Sequence, residues 1–363
     1  MVKRQWFRTV TIKVNEELER KGKMKVLVIG GTRFFGKLIV ENLLDEGFDI
    51  SIFTRGNIKP QFSSPVRHIK GDRRDYPSFI SKLRKYDFDV VIDNIAYNGR
   101  DVESVVQAFK GKISRYLLTS STTVYRVMKY RNPVREEDAR IGSPPEVERE
   151  TKELHQYSLG KREAERVLFR IADESTFPFT IIRPPVVQGE GDPSLRGYFW
   201  IQRAMDGGPV LIPDGGLYMF RHVYASDLAR VYVLALDNER AVNKAYNVAQ
   251  KEILTLKEYV QSICEVLGVE FRPVYVPSEL AERCIGYKPP YFRRQVLIPN
   301  ISRAEAELGF ISTPFAKWLE RMVRWYIEEY RGPDSLGYDK RRLEIKFSEI
   351  LRKKKLGLRT LSS

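Results

Sequence analysis

The sequence predicts an α/β fold built on a doubly wound parallel sheet, followed by a smaller C-terminal lobe that covers a substrate. Three observations carry this expectation. From residue 25 onward, short apolar runs alternate with amphipathic stretches, as in parallel strands joined by crossover helices. A glycine-rich turn follows the first apolar run directly and opens the first amphipathic stretch. Past Pro184 the rhythm gives way to Gly/Pro-rich loops such as Gln188-Gly-Glu-Gly-Asp-Pro193.

Each element can be justified in turn. Lys25-Val-Leu-Val-Ile29 reads as a first strand buried on both faces. Leu38, Ile39, Val40, Leu43 and Leu44 then recur at helical spacing, and Gly47 ends that helix. Strands two to five are predicted at 49–53, 66–69, 90–92 and 116–120. A long helix is predicted at 150–171 and a sixth strand at 179–182. A helix at 226–236 and a strand at 245–248 return to the sheet. The expected organisation is an extension at 1–23, a sheet domain at 24–190 with 222–250 returning to it, a substrate lobe at 191–221 and 251–330, and a basic helix or tail at 331–363. Met24 stands directly before strand one, so residues 1–23 are expected to be dispensable.

Composition narrows the function classes. The 363 residues are 42% hydrophobic and 30% charged, as in a globular protein. No run reaches 18 apolar residues, and the first residues lack the apolar core of a signal peptide, so a cytoplasmic protein with no membrane contact is expected. Cys264 and Cys284 are the only cysteines, which fits a reducing compartment. Neither they nor His68, His155 and His222 have metal-ligand spacing, so no metal is expected. The net charge is +15, but residues 1–23 hold +4 and residues 331–363 hold +6, so the body is only mildly basic.

The turn reads Gly30-Gly-Thr-Arg-Phe-Phe-Gly36. Glycines at a strand-to-helix junction let backbone N–H groups approach a pyrophosphate at the positive end of the helix dipole. Gly30, Thr32, Arg33, Phe34, Phe35 and Gly36 are therefore candidate contacts to a dinucleotide. In the long helix, Tyr157 and Lys161 stand at i and i+4 and project from one face. An ammonium beside a phenol favours the phenolate and lowers a pKa that is ordinarily about 10. Such a phenolate can take a proton from a substrate hydroxyl. The fifth strand ends in Thr119-Ser-Ser-Thr-Thr-Val-Tyr125, which places hydroxyls at the carboxyl edge of the sheet.

In that order the glycine turn, the hydroxyl-rich strand end and Tyr157-Ser-Leu-Gly-Lys161 resemble the extended or atypical branch of the short-chain dehydrogenase/reductase superfamily, which includes nucleotide-sugar epimerases and dehydratases. The resemblance runs from about Met24 to about Gly268 and implies a Rossmann sheet binding NAD or NADP. By the resemblance Ser121 orients the substrate oxygen, Tyr157 is the acid/base, and Lys161 binds the ribose and tunes the tyrosine. It also implies cofactor contacts from Asp72 and Arg73 in Gly71-Asp-Arg-Arg-Asp75, from Ala96 after strand four, and from Pro184 in Ile182-Arg-Pro-Pro-Val-Val187. Thr122, Arg196 and Arg221 are the candidate substrate contacts, with Arg203 a further cation on the same lobe. A homodimer is expected by analogy.

Departures accompany the likeness. Arg33 replaces the middle glycine of Gly-x-x-Gly-x-x-Gly, and Gly-Gly-Thr-Arg-Phe-x-Gly is similar to a subgroup that includes the chloroplast stem-loop-binding proteins. Ile92-Asp-Asn-Ile-Ala-Tyr97 stands where nucleotide-sugar epimerases usually carry a histidine followed by small residues. Arg221 falls one place from the expected diphosphate-binding arginine. NAD-selective Rossmann proteins carry an acid about 20 positions beyond the glycine turn. Here Thr54 and then Arg55 occupy that place, and Arg33 could approach the same phosphate, so NADP is the expected preference. Arg55 stacking on adenine or pointing into water is the alternative. The leading reading is an NAD(P)-dependent epimerase, dehydratase or reductase of a nucleotide sugar or similar polyol. The alternatives are an RNA-binding or RNA-processing protein on this scaffold, with weak RNA contact through the basic termini, and a dinucleotide-sensing regulator without turnover.

Overall fold

In a computed structural model the described residues are 24–59, 61–144, 151–172, 177–291 and 296–360. The expected N-terminal extension, 1–23, lies outside them. The chain divides into two compact units. The first holds the described residues up to Pro185 together with Ala225–Ala249 and Pro299–Ile311.

Its centre is a seven-stranded parallel sheet of β1 (Lys25–Ile29), β2 (Asp49–Thr54), β3 (Arg67–Lys70), β4 (Val90–Asp93), β5 (Arg115–Thr119), β6 (Phe179–Arg183) and β7 (Lys244–Asn247). The order is β7-β6-β5-β4-β1-β2-β3, so it reverses between β1 and β4. A reversal of this kind opens a crevice beyond the carboxyl ends of the strands. The doubly wound Rossmann-like fold expected from the sequence is thus present. Helices α1 (Phe34–Asp45), α2 (Tyr76–Leu83), α3 (Gly99–Phe109), α4 (Lys152–Ile171) and α5 (Ala225–Leu236) accompany the sheet. Val26 to Ile29 are wholly buried, which is why β1 reads as an unbroken apolar run. Asn98 caps α3 by accepting the Asp101 N–H at 3.0 Å.

A buried polar network fastens α4 to the sheet. Glu165, with 0% of its surface exposed, accepts Arg183 Nε and Nη2 at 2.9 and 2.6 Å and Ser120 Oγ at 2.5 Å. Arg183 Nη1 donates to Tyr125 Oη at 2.9 Å and to the Glu136 carbonyl at 2.8 Å. The Tyr125 hydroxyl in turn donates to Asn247 at the end of β7, at 2.8 Å. One ion pair therefore links α4, β6, β7 and the turn after β5.

The second unit comprises Val186–Tyr224, Gln250–Ile298 and the described residues from Ser312 on. Helices Arg196–Met205, Leu256–Leu267 and Phe315–Glu328 enclose an aromatic core that includes Trp200, Tyr259 and Trp318. Residues 331–360 were expected as a separate tail and instead belong to this unit. The reason is electrostatic: Arg203 holds Glu344 through Nε and Nη2 at 2.9 and 2.6 Å, and Arg341 holds Asp206 at 2.6 and 2.9 Å. Residues 299–311 were expected in the substrate lobe and instead group with the first unit. There Glu307 accepts hydrogen bonds from the β7 residues Tyr246 and Lys244, at 2.7 and 2.8 Å. Among the described residues, no helix is long and apolar enough to cross a membrane.

Glu165→Ala leaves the buried Arg183 guanidinium without its counter-charge, which costs about 3–5 kcal/mol at such sites. Urea denaturation is expected to show that loss. A change below about 1 kcal/mol would mean that the pair does not hold α4 in place.

Candidate functional site

The glycine turn is shaped by contact as much as by conformation. Gly30 has φ +91°, in the left-handed region that glycine favours. A Cβ at Gly36 would strike the Gly30 carbonyl oxygen, so the first turn of α1 can close on the end of β1 only with glycine there. No acidic side chain lies in that first turn to offset the helix dipole. Beside Gly36 lies Asn94, a buried side chain whose Oδ1 accepts from Thr119 Oγ1 at 2.7 Å. Among the described residues its Nδ2 has no hydrogen-bond partner. A buried donor left over beside a glycine cradle fits an anionic, hydrogen-bond-accepting group such as a pyrophosphate.

From the turn, a cleft of 780 Å³ runs along the carboxyl ends of β1 to β4. Gly30, Thr32, Arg33, Arg55, Asp72, Arg73, Arg74, Tyr76, Tyr97 and Asp101 are among its lining residues. Of the expected cofactor contacts, Gly30, Thr32, Arg33, Arg55, Asp72 and Arg73 meet in this cleft. Arg33, Arg55, Asp72 and Arg74 are exposed. Arg73 has a different task. Its Nη1 is held by Asp93 at 2.7 and 2.9 Å, its Nη2 donates to the Asp101 carbonyl at 2.8 Å, and its Nε lies 3.3 Å from the Asp101 carboxylate. The neighbouring carboxylates push its pKa further up against the opposing effect of burial. Arg73 is therefore a buried tie between the β3 turn, β4 and α3, and its guanidinium is not free for the cofactor. The exposed arginine of the pair is Arg74, which sequence reasoning passed over. Nothing in the alternation of side chains tells the two apart, because both stand in a turn.

Lys161, only 2% exposed, lies against Tyr97, a residue of the cleft wall. Its ammonium donates to the Ala96 and Thr119 carbonyls, each at 2.7 Å. Burial pushes its pKa down to about 8, with Asp93, Asp101 and Glu165 opposing the fall and Arg73 adding to it. The Nζ atom lies 4.9 Å from the centre of the Tyr97 ring and 5.7 Å from that of Tyr157. Ala96 thus meets Lys161 through its carbonyl. Gly160 explains how α4 comes so close, since a Cβ there would strike the Tyr97 carbonyl oxygen.

The other expected residues are placed as follows. Ser121 is buried after β5, where its Oγ accepts the Thr123 N–H at 3.2 Å. Thr122 is buried too, and its N–H donates to the Pro184 carbonyl at 3.0 Å. The Phe34 and Phe35 rings meet edge to face, 5.8 Å apart. Arg196 and Arg221 belong to the second unit, where they donate to Ser194 Oγ and to the Lys251 carbonyl at 2.7 and 2.6 Å. Arg203 is wholly buried and engaged with Glu344, so it offers no free cation. Among the described residues, no cluster of His, Cys, Asp and Glu could hold a metal ion.

Fold and glycine cradle together define a dinucleotide-binding Rossmann protein. More narrowly, the chain belongs to the NAD-dependent epimerase/dehydratase family, whose model matches residues 26–249. It is 29% identical over 300 residues to the chloroplast stem-loop binding protein of 41 kDa b from Arabidopsis thaliana, covering 79% of this chain and 74% of that one. Among solved structures it is similar to an epimerase from Methanothermobacter thermautotrophicus. That match has a TM-score of 0.69 at 19% identity and covers 86% of this chain and 95% of the other. UDP-glucuronic acid 4-epimerase from Bacillus cereus, solved with UDP-glucuronic acid and NAD, gives a TM-score of 0.66 at 18% identity over 85% and 100% of the two chains.

The Lys161 shift has a sign that stability measurements can read. Its pKa is lower folded, about 8, than the ordinary 10.5 of an unfolded chain. The burial penalty is therefore full below pH 8 and is relieved as pH rises from 8 to 10.5, by about 3 kcal/mol in all. The stability of the unmodified protein relative to Lys161→Met should climb across that window in urea denaturation. Parallel pH profiles would mean that the lysine is not desolvated as described.

Proposed function

We propose that this protein is an NAD(P)-dependent epimerase, dehydratase or reductase acting on a nucleotide sugar or similar polyol, with Tyr157 as its acid/base. The observation that carries the reading is the buried Lys161 ammonium, held by two main-chain carbonyls with the Tyr157 ring beside it. Burying a charge is costly, and a place beside a reacting phenol gives that cost a purpose. The bound dinucleotide supplies the hydride acceptor. Tyr157 takes the proton of a substrate hydroxyl or returns it, and the nearby ammonium favours the phenolate that does so. Ser121, at the carboxyl edge of β5, orients the substrate oxygen. The nucleotide sugar is the substrate class named for the Bacillus cereus fold relative, and the family match is compatible with it.

The cleft favours NADP. The end of β2 offers no carboxylate to a ribose 2′-hydroxyl: Thr54 Oγ1 shares a hydrogen bond of 2.7 Å with His68 Nε2. Arg33, Arg55 and Arg74 are exposed in the same cleft, against one exposed carboxylate, Asp72. Three guanidinium groups suit a 2′-phosphate better than a hydroxyl.

Two measurements test the reading. In Tyr157→Phe the cofactor should bind as before while turnover falls about 100-fold or more, the usual loss for a positioned acid/base. Full turnover in that variant would end the assignment. Arg55→Ala should weaken NADP by roughly 10- to 150-fold and leave NAD nearly unchanged, the scale of one lost charge-assisted hydrogen bond. Equal affinity for the two cofactors in the unmodified protein would contradict the NADP preference.

A further inference from the structure

Lys161 is buried without a carboxylate of its own. Asp93 and Asp101 are both held by Arg73, and Glu165 is held by Arg183. These four charged groups, Asp93, Arg73, Asp101 and Glu165, are the ones that act on the ammonium from β4, the β3 turn, α3 and α4. Two of its three N–H groups end on the Ala96 and Thr119 carbonyls. The electron-rich surfaces that remain around it are two aromatic rings, and Tyr97 is the nearer, at 4.9 Å against 5.7 Å for Tyr157.

We propose that Tyr97 is a positioning residue for Lys161: its ring face, with that of Tyr157, forms a two-walled aromatic cage that keeps the buried ammonium charged and in place beside the acid/base. The proposal deepens the reading given above, because the cage serves the same lysine.

Several features point the same way. Tyr97 is 52% exposed on the cleft wall, so core packing alone does not explain a large aromatic there. Its main chain is nonetheless fixed. The Tyr97 N–H donates to Asp101 Oδ2 at 2.7 Å, and the bare Gly160 fits against its carbonyl. The Tyr97 and Tyr157 rings lie 6.3 Å apart and are inclined at 53°, with Lys161 Nζ within reach of both. A cation within about 6 Å of a ring centre is attracted by the ring quadrupole, and more strongly where water is excluded. Burial and the Asp93 carboxylate raise the pKa of the Tyr97 phenol itself.

The test reads the lysine directly. The protein is labelled with 13C at lysine Cε and titrated by NMR without cofactor, the Lys161 signal being the one lost in Lys161→Arg. Tyr97→Phe keeps the ring and should titrate with the unmodified protein. Tyr97→Leu removes the ring and should titrate about one pH unit lower, a roughly tenfold loss of the charged form above the midpoint. Tyr97→Met serves the same purpose should the leucine variant fail to fold. An unchanged midpoint in the ringless variants would overturn the proposal, as would a fall in Tyr97→Phe equal to theirs. The alkaline limb of the turnover profile should move with the midpoint. A midpoint that moves while turnover does not would leave the cage standing and remove the catalytic assignment of Lys161.

Discussion

An ammonium group enclosed by protein must find every partner that water would have supplied, and in the first unit that requirement falls on Lys161. Its partners come from different parts of the chain: a carbonyl just beyond β4, a carbonyl at the end of β5, and the neighbouring rings of Tyr97 and Tyr157. Satisfying them sets how near α4 must lie to the sheet, and Gly160 is the residue that permits the approach. The buried ion pairs then read as support. Glu165 stands four residues beyond Lys161 on the same helix and ties it to β6 through Arg183. Asp93, at the end of β4, is held by Arg73.

The cleft shows how one residue type can divide its labour. Arg73 and Arg74 are adjacent, yet the first is buried against two carboxylates and the second faces the cleft. The first fixes the shape of the wall, and the second, with Arg33 and Arg55, gives that wall its positive potential. A charge buried and neutralised locally contributes little to the field outside, whereas exposed charges steer an anionic ligand.

Much of this was legible in the sequence. Every strand of the central sheet was predicted within about a residue, because strands buried on both faces are unbroken apolar runs and their helices carry a clear period. The glycine turn and the Tyr157–Lys161 pair were found because each has a fixed local spacing. What escaped depends on contacts far apart in sequence. The return of residues 299–311 rests on Glu307 meeting β7, some 60 positions earlier. The engagement of Arg203 rests on Glu344, 141 residues away. Asn94 and Tyr97 lay in a motif already singled out as a departure, but only the fold shows one beside the glycine cradle and the other against the lysine.

The pairing of Arg203 with Glu344 also bears on how the second unit is made. A ribosome delivers Arg203 and the aromatic residues around it long before Glu344 emerges. Until then the guanidinium has a hydrophobic setting and no counter-charge, so closing that core early would strand a cation in it. The second unit is therefore expected to stay open until the segment that carries Glu344 has emerged. The sheet up to β6 needs nothing from that distant segment and can form while translation continues.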